Sequence, residues 1–513
     1  MVSVADRARA LRTVDVLASR WSTPAILVVL TAVSAFVRTR QLNAGFWIDE
    51  GLSVGIAHHH LASIPALLHQ DGSPPGYYLL LGGWIRLFGD SERATHTLSL
   101  VFALGCIPLA FAAARSLFGR STGLLCALLV ALDPYLTYYA QETRMYAVEA
   151  FLSFVVVLAY VNGILRGRTP WTVAFVVALA AMVYTHNWAL FLCVGFAVAT
   201  ALLARERLRR FGLAALGVAV LYASWLPTLL GQARHTGAPW STSPSFHDLV
   251  LAPGAVFSGD ATLMAFVLAG GVGYAVVLRR RGDPERTVVL SLAVLAAVTI
   301  TLAWTASQIS PAWTSRYFAI VLGPLVVLAA RGLVRAGRFG AFALVAALFL
   351  WSGYTLKDNK ENARQVSAAL VRTIHPGELV ISTQPEQVPL FRYYLGGAPR
   401  FATILGPVPD SQVFDWRDVI DRLQAAIPRP TLDALLARVA PGSEFVVVAP
   451  VFRDYRAWNA KWTKLVWQRS VQWQSLLQAD PRIRLERHVV TNEVALHRNY
   501  FKPMQAFVYR RLR

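Results

Sequence analysis

Charge is scarce in this chain. Only 15% of its 513 residues are Asp, Glu, Lys or Arg, and 55% are hydrophobic; soluble domains carry about 25% charge. That shortage, together with long aliphatic runs, excludes a purely soluble protein. Acidic residues are scarcer still, 29 against 49 basic ones, for a formal charge of +20. In a soluble protein that balance would suggest nucleic acid. Among aliphatic runs it points instead to Lys and Arg gathered in cytoplasmic loops, and nucleic acid is not an expected partner. Cysteines number three, Cys106, Cys126 and Cys193, each inside an apolar run. An odd number so placed offers no disulfide framework and reads as buried thiols. CxxC pairs, HExxH, GxGxxG and Walker A sequences are missing, so redox, zinc-protease and nucleotide-hydrolase readings lack support. No small-residue cleavage site follows the basic N-terminus (Arg7, Arg9, Arg12, Arg20), so the stretch from Pro24 reads as a first membrane helix, not a signal peptide.

What is present is a series of apolar stretches of membrane-spanning length, which is about 20 residues. Candidate spans run near 21–38, 97–115, 122–139, 145–164, 171–186, 188–204, 211–231, 262–279, 287–306, 317–334 and 339–355, about eleven in all. Every second connection is basic: Arg115 and Arg120; Arg166 and Arg168; Arg205 to Arg210; Arg279 to Arg286; Arg331 to Arg338. The positive-inside rule assigns these loops and the N-terminus to the cytoplasm. The opposite loops, led by the long first outer loop 39–96, then face outward. An odd span count also puts the tail outside. The expected fold is therefore a polytopic α-helical membrane domain over residues 1–356, followed by a soluble extracytoplasmic domain over 357–513. Strand-like runs at 379–383 and 445–449, with helical periodicity around 417–438 and 455–478, predict an α/β or α+β tail domain.

Chemistry-bearing residues concentrate in the outward loops. The first opens on Trp47-Ile48-Asp49-Glu50 and continues through Asp71 to Pro74-Pro75-Gly76-Tyr77-Tyr78. An apolar run at 77–88 is too short to cross and suits an interfacial or re-entrant helix. The second outer turn holds Glu142, Arg144 and Tyr146, the third His186, and the fifth Arg316. Singly, each has a structural explanation: a solvated span end, a helix cap, an interfacial histidine or a snorkelling arginine. Together they suit transfer of a group from a lipid-linked phosphate. A carboxylate can take the proton from an attacking hydroxyl, and arginines can bind a phosphate bidentately and stabilise the leaving charge. Asp49 and Glu50 also offer oxygen ligands of the kind that hold Mg, Mn or Ca, the one cofactor candidate in the chain. His58-His59-His60 point in different directions on a helix and read as interfacial histidines. The basic, tryptophan-rich segment 453–473 suits anionic headgroups or a glycan.

With those residues in view, the chain resembles the GT-C superfamily of membrane glycosyltransferases. It is most similar to the branch of bacterial protein-mannosyltransferase-like enzymes, aminoarabinose transferases and lipopolysaccharide galacturonosyltransferases. The resemblance rests on Trp47-Ile48-Asp49-Glu50, Pro74-Pro75-Gly76-Tyr77-Tyr78, Leu87-Phe88-Gly89-Asp90-Ser91-Glu92, Tyr138-Tyr139-Ala140-Gln141-Glu142-Thr143-Arg144-Met145-Tyr146 and Ser315-Arg316-Tyr317, in that order over roughly residues 20–355. It implies a polyprenyl-phosphate-sugar donor bound from the outer leaflet, and an acceptor hydroxyl attacking the anomeric carbon with inversion. It implies catalytic roles for Asp49, Glu50 and Glu142. Arg144, Arg316 and His186 would meet the donor phosphate, and Asp71, Tyr77 and Tyr146 would wall the pocket. The acceptor is a glycan, a lipid or a protein. Two departures stand out: Ser73 occupies the place where a histidine often precedes Pro-Pro, and His96 stands where an arginine is expected, with Arg93 slightly earlier. The composition suggests a bacterial plasma membrane. The competing classes are a secondary transporter or flippase, disfavoured because the span centres are nearly free of charge, and a non-catalytic scaffold displaying the tail.

Overall fold

The computed structural model describes residues 22–280, 282–354, 360–452, 458–491 and 503–512. The N-terminal arginines 7, 9, 12 and 20, Arg281, and Arg453 and Tyr455 of the aromatic segment lie outside these. Among the described residues six helices are long and apolar enough to cross a membrane: Glu92–Phe118, Tyr146–Leu165, Arg205–His235, Asp260–Arg279, Pro284–Ile309 and Ser315–Arg335. Shorter apolar helices, Ser22–Arg38, Arg120–Leu132, Thr169–Thr185, Ala189–Leu203 and Arg338–Ser352, occupy the remaining expected spans, and a count of eleven includes them. Large apolar side chains turn outward around this bundle, among them Val28, Phe36, Leu213, Val220, Phe342 and Phe349. Water would penalise so much exposed hydrocarbon, and lipid does not. The chain is a multi-pass membrane protein.

Local chemistry explains several boundaries. The expected span 122–139 stops at Leu132, where the Asp133 carboxylate accepts the Tyr135 amide at 3.0 Å and Pro134 starts a new short helix, Pro134–Tyr139. A proline at that first position loses no helical hydrogen bond. Helix Phe246–Val256, between the expected spans 211–231 and 262–279, opens on a Ser245–Asp248 capping box. The basic loops gather at one end of the bundle: Arg120 bonds Thr23, Arg166 bonds Ser116, Arg210 bonds Gly163, and Arg331 pairs with Glu285 at 2.8 Å.

At the other end sits a mixed six-stranded sheet of order β3-β2-β1-β4-β6-β5. Its strands are β1 (Leu379–Ser382), β2 (Arg400–Thr403), β3 (Gly406–Pro407), β4 (Glu444–Pro450), β5 (Ile483–Val489) and β6 (Met504–Arg511). β1 runs parallel to β2 and β4, while β4–β6 and β5–β6 are antiparallel. Alternate side chains feed two cores. Leu379, Ile381, Phe445 and Val447 pack with helices Val419–Ala425, Pro428–Leu436 and Lys461–Ala479. Val380, Val446 and Val448 pack with Ala363–Leu370 and Val388–Leu395. Helices on both faces give the tail an α/β architecture.

Helix Ile48–His58 of the first loop ties the two parts together. Ile48 and Leu52 enter one core of the sheet domain, and Phe46 and Val54 enter the other. Its small residues permit that approach: a Cβ on Gly55 would lie 2.1 Å from the Gln412 carbonyl oxygen, and one on Gly51 2.8 Å from Leu390. Gly55→Val therefore has to push the sheet domain away. Overpacking of this kind costs about 1–3 kcal/mol, so thermal unfolding of the purified variant should begin several degrees below wild type; an unchanged transition would show the contact is dispensable.

Candidate active site

Every acidic residue of the first loop has a distinct environment. Glu50 is completely buried. Its Oε1 meets His96 Nε2 at 2.7 Å, the Thr143 amide at 2.7 Å and Lys360 Nζ at 2.9 Å. Its Oε2 meets Lys360 at 2.9 Å and the Trp47 amide at 3.2 Å. Burial works to raise the Glu50 carboxyl, but Lys360, His96 and the Thr143 amide together hold it well below the ordinary 4.5. Glu50 is thus a lodged structural anion, and no face of it reaches a cavity. Four donors, from Trp47, His96, Thr143 and Lys360, take up the lone pairs of Glu50, so Asp49 is the carboxylate of this pair that lines a cavity.

Asp49, one residue earlier on the helix, turns the other way and is 20% exposed in an ion pair with Arg316 at 3.2 Å. The Asp49 carbonyl accepts Arg144 Nη1 at 3.2 Å and the Ser53 hydroxyl at 2.8 Å. Arg144 Nη1 also donates to Ser53 Oγ at 2.7 Å. The two guanidiniums therefore flank the start of this helix. Arg316 is further held against Trp240 and Trp47, at 4.8 and 5.4 Å from their ring centres. Desolvated arginine between indoles gains a cation–π contribution and stays oriented.

The suggested cation pair does not assemble. Asp49 and Glu50 point to separate partners, an arginine on one side and a lysine with a histidine on the other. Among the described residues no group of three His, Cys, Asp or Glu is arranged to hold a metal ion. The donor set does not fit Mg, Mn or Ca, whose sites require several oxygen ligands unclaimed by cations.

Three cavities meet around Asp49, Arg144 and Arg316. One of about 280 Å³ runs toward the sheet domain, lined by Trp47, Asp49, Trp240, Trp313, Arg316 and Trp416 among others. One of about 90 Å³ at the centre is lined by Asp49, Asp71, Tyr78, Arg144, Arg316 and Tyr317. One of about 240 Å³ runs the other way along Ser73, Arg144, His186, Trp188 and Tyr317. The amide of Trp188 donates to His186 Nδ1 at 3.1 Å, which leaves the proton on Nε2. The His186 ring packs on Tyr317 at 4.4 Å between centres. Farther along the same helices an apolar cavity of about 410 Å³ opens between Phe175, Leu179, Leu190, Val194, Val218 and Leu226.

Of the remaining sequence candidates, Asp71 lines the central cavity and accepts the Tyr78 hydroxyl at 3.2 Å. Burial pushes its carboxyl up, against the pull of Arg144. Tyr77 and Tyr146 are buried behind the wall and line none of these cavities. The helix phase turns Tyr78 inward in place of Tyr77, and Tyr317 stands in front of Tyr146. Glu142 is buried and lines no cavity. Burial and then the negative charge of Glu50 push its carboxyl above the ordinary 4.5. His69 bonds Thr228 at 3.0 Å, and His58 and His59 pair separately with Asp90 and Asp410.

Lys360 escaped sequence reasoning, although a signal exists: the chain has five lysines, all from residue 357 onward, so each is unusual among the arginines. Trp240 and Trp416 lay in a loop and a tail without recognisable pattern. His96 occupies the expected arginine position and uses it to bind Glu50.

Residues 72–230 match the family model described as dolichyl-phosphate-mannose-protein mannosyltransferase. No curated protein sequence matches the chain. Among solved structures, ArnT from Cupriavidus metallidurans bound to undecaprenyl phosphate aligns with a TM-score of 0.62 at 13% identity, covering 96% of this chain and 98% of that one. The oligosaccharyltransferase AglB from Archaeoglobus fulgidus, in complex with an inhibitory peptide and a dolichol-phosphate, aligns at 0.54 and 11% identity, over 84% and 70%. The arabinofuranosyltransferase AftD from Mycobacteria aligns at 0.55 and 16%, over 95% of this chain and 40% of that one. At these identities the likeness is one of fold.

Removing Lys360 leaves Glu50 buried with a histidine and two backbone amides but no cationic side chain beside it. Breaking such a pair costs about 3–5 kcal/mol, so Lys360→Met should lower the unfolding midpoint sharply, and Glu50→Gln in addition should recover part of the loss. Because the folded-state value of Glu50 lies below 4.5, its contribution is complete above that pH and drains as pH falls beneath it. Thermal scans from pH 7 to 3 should show an acid limb that is shallower in Glu50→Gln.

Proposed function

We propose that the chain is an integral-membrane glycosyltransferase that moves a sugar from a polyprenyl-phosphate-sugar donor to an extracytoplasmic acceptor, with inversion. The observation that carries this reading is the pair of adjoining cavities that runs past His186 and Arg144 to Asp49 and Arg316, with an apolar cleft farther along the same helices. Its sequence of environments matches the parts of such a donor: hydrocarbon tail, phosphate and sugar. The undecaprenyl phosphate of ArnT and the dolichol-phosphate of AglB support a lipid phosphate as the kind of ligand. The alternating basic loops favour a bacterial plasma membrane with the N-terminus cytoplasmic and the sheet domain outside, and residues 1–356 and 357–513 as the two domains.

In this mechanism Asp49 takes the proton from the acceptor hydroxyl. The acceptor oxygen bonds to the anomeric carbon as the bond from that carbon to the phosphate oxygen breaks. The electron pair leaves on the phosphate, whose growing charge is met by Arg144, Arg316 and the Nε2–H of His186. Glu50, with Lys360 and His96, fixes the helix that aims Asp49. No metal enters a step.

Purified wild type and variants in detergent, given a panel of radiolabelled polyprenyl-phosphate sugars, test the reading. Wild type should turn over one donor and release polyprenyl phosphate, with EDTA making no difference. Asp49→Asn should lose about 10²–10⁴-fold in rate while still binding polyprenyl phosphate. Arg144→Ala should weaken that binding. If wild type neither binds nor turns over any donor, glycosyl transfer is refuted and transport or scaffolding takes its place.

A further inference from the structure

The cavity on the sheet-domain side of Asp49 has a composition that names its ligand. Four indoles line it, those of Trp47, Trp240, Trp313 and Trp416. Trp47, Trp240 and Trp313 are only partly buried, although indoles this close to the centre of a domain junction would be expected to close up. Trp416 is held rigid by Phe414 and Trp462, at 4.7 and 5.8 Å between ring centres, and its amide donates to the Gln70 carbonyl at 2.8 Å. The opening between these rings is edged with neutral hydroxyl and amide groups, with one carboxylate at the far end. Asn459 is exposed there, and Thr463 and Glu386 stand beside it.

We propose that this cavity is the acceptor site and that the acceptor is a carbohydrate, whose hydroxyl is presented to Asp49. This deepens the glycosyltransferase reading and rests on it. Sugar rings carry flat C–H faces, which pack on indoles, and a girdle of hydroxyls, which pair with amide, hydroxyl and carboxylate groups. The alternatives fit less well. A phosphorylated lipid headgroup needs cations, and Arg316, the one cation lining the cavity among the described residues, is engaged by Asp49. An acyl chain needs aliphatic walls, and among the described residues Ile48 is the one aliphatic side chain in the lining. A peptide is typically recognised through backbone groups along an extended edge. Here side-chain groups surround a compact volume of about 280 Å³, near the lower end of small-ligand sites at about 300 Å³. Position agrees with chemistry. Asp49 lines both this cavity and the central one, so an acceptor here and a donor beyond Arg144 would approach it from opposite sides.

The test uses the full-length protein in lipid nanodiscs. Methyl glycosides and disaccharides of mannose, arabinofuranose and galactose serve as probes, with binding read by saturation-transfer NMR. A Ser/Thr-containing peptide is run as competitor, and undecaprenyl phosphate binding is measured in parallel. At least one glycoside should bind. Asn459→Ala and Trp313→Phe should each weaken it by roughly fivefold or more, with undecaprenyl phosphate affinity unchanged. Asn459 is exposed, so its truncation does not threaten folding. If undecaprenyl phosphate binds but no glycoside does, or both variants bind sugar as wild type does, the carbohydrate-acceptor proposal is overturned while the donor reading survives. Displacement by the peptide would overturn it in favour of a protein acceptor. If undecaprenyl phosphate itself does not bind, the underlying glycosyltransferase reading fails and this proposal with it.

Discussion

One buried carboxylate organises the molecule. Glu50 has no contact with solvent, and an unpaired ion in that position would cost far more than a domain can supply. Its partners are therefore obligatory, and they come from four segments: Trp47 of its own loop, His96 of a membrane helix, Thr143 of the second outer turn and Lys360 of the tail. Satisfying one charge thus fixes the first loop, the bundle and the sheet domain with respect to one another. Breaking any of these bonds strands a charge, so the assembly is cooperative by electrostatics as well as by packing.

The same arrangement separates three neighbouring carboxyls into three states. Glu50 is locked as an anion, Glu142 is pushed toward its protonated form by burial and by Glu50, and Asp49 keeps an accessible edge beside Arg316. Like charges so close cannot all ionise. The locked anion suppresses charge on the buried neighbour and leaves Asp49, on the opposite helix face, as the carboxylate available to a ligand. Arg144 and Arg316, both drawn to Asp49, form the positive surface that a phosphate would meet.

The two halves of the site belong to two solvents. The apolar cleft lies among helices whose outward residues suit lipid, whereas the tryptophan cavity is walled partly by a domain with its own α/β core. Asp49 stands at the junction, on a helix contributed by the membrane part yet packed into the sheet domain. A hydrocarbon-bearing substrate and a polar one can therefore approach the same carboxylate without sharing a route.

The membrane character, the alternating basic loops and the concentration of chemistry in the outer turns were legible in the sequence, because each depends on local hydropathy or on residues close in the chain. So were the first and fourth strands of the tail, which are continuous β-branched runs. Strands β2, β3, β5 and β6 were not, since their patterns are short or mixed and are stabilised by pairing across the sheet. Asp49, Asp71, Arg144, His186 and Arg316 converge as their loop positions suggested. Which carboxylate of the Asp49–Glu50 pair reaches the cavity could not be read from adjacent letters, nor could the exchange of Tyr77 for Tyr78 or Tyr146 for Tyr317, because helix phase and long-range partners decide them. The amino-acid order by itself determined a multi-pass membrane protein with a polar outer face. Only the tertiary structure brought Lys360 across more than 300 positions to Glu50, because a buried charge is settled by whichever group the fold can deliver to it, at any distance along the chain.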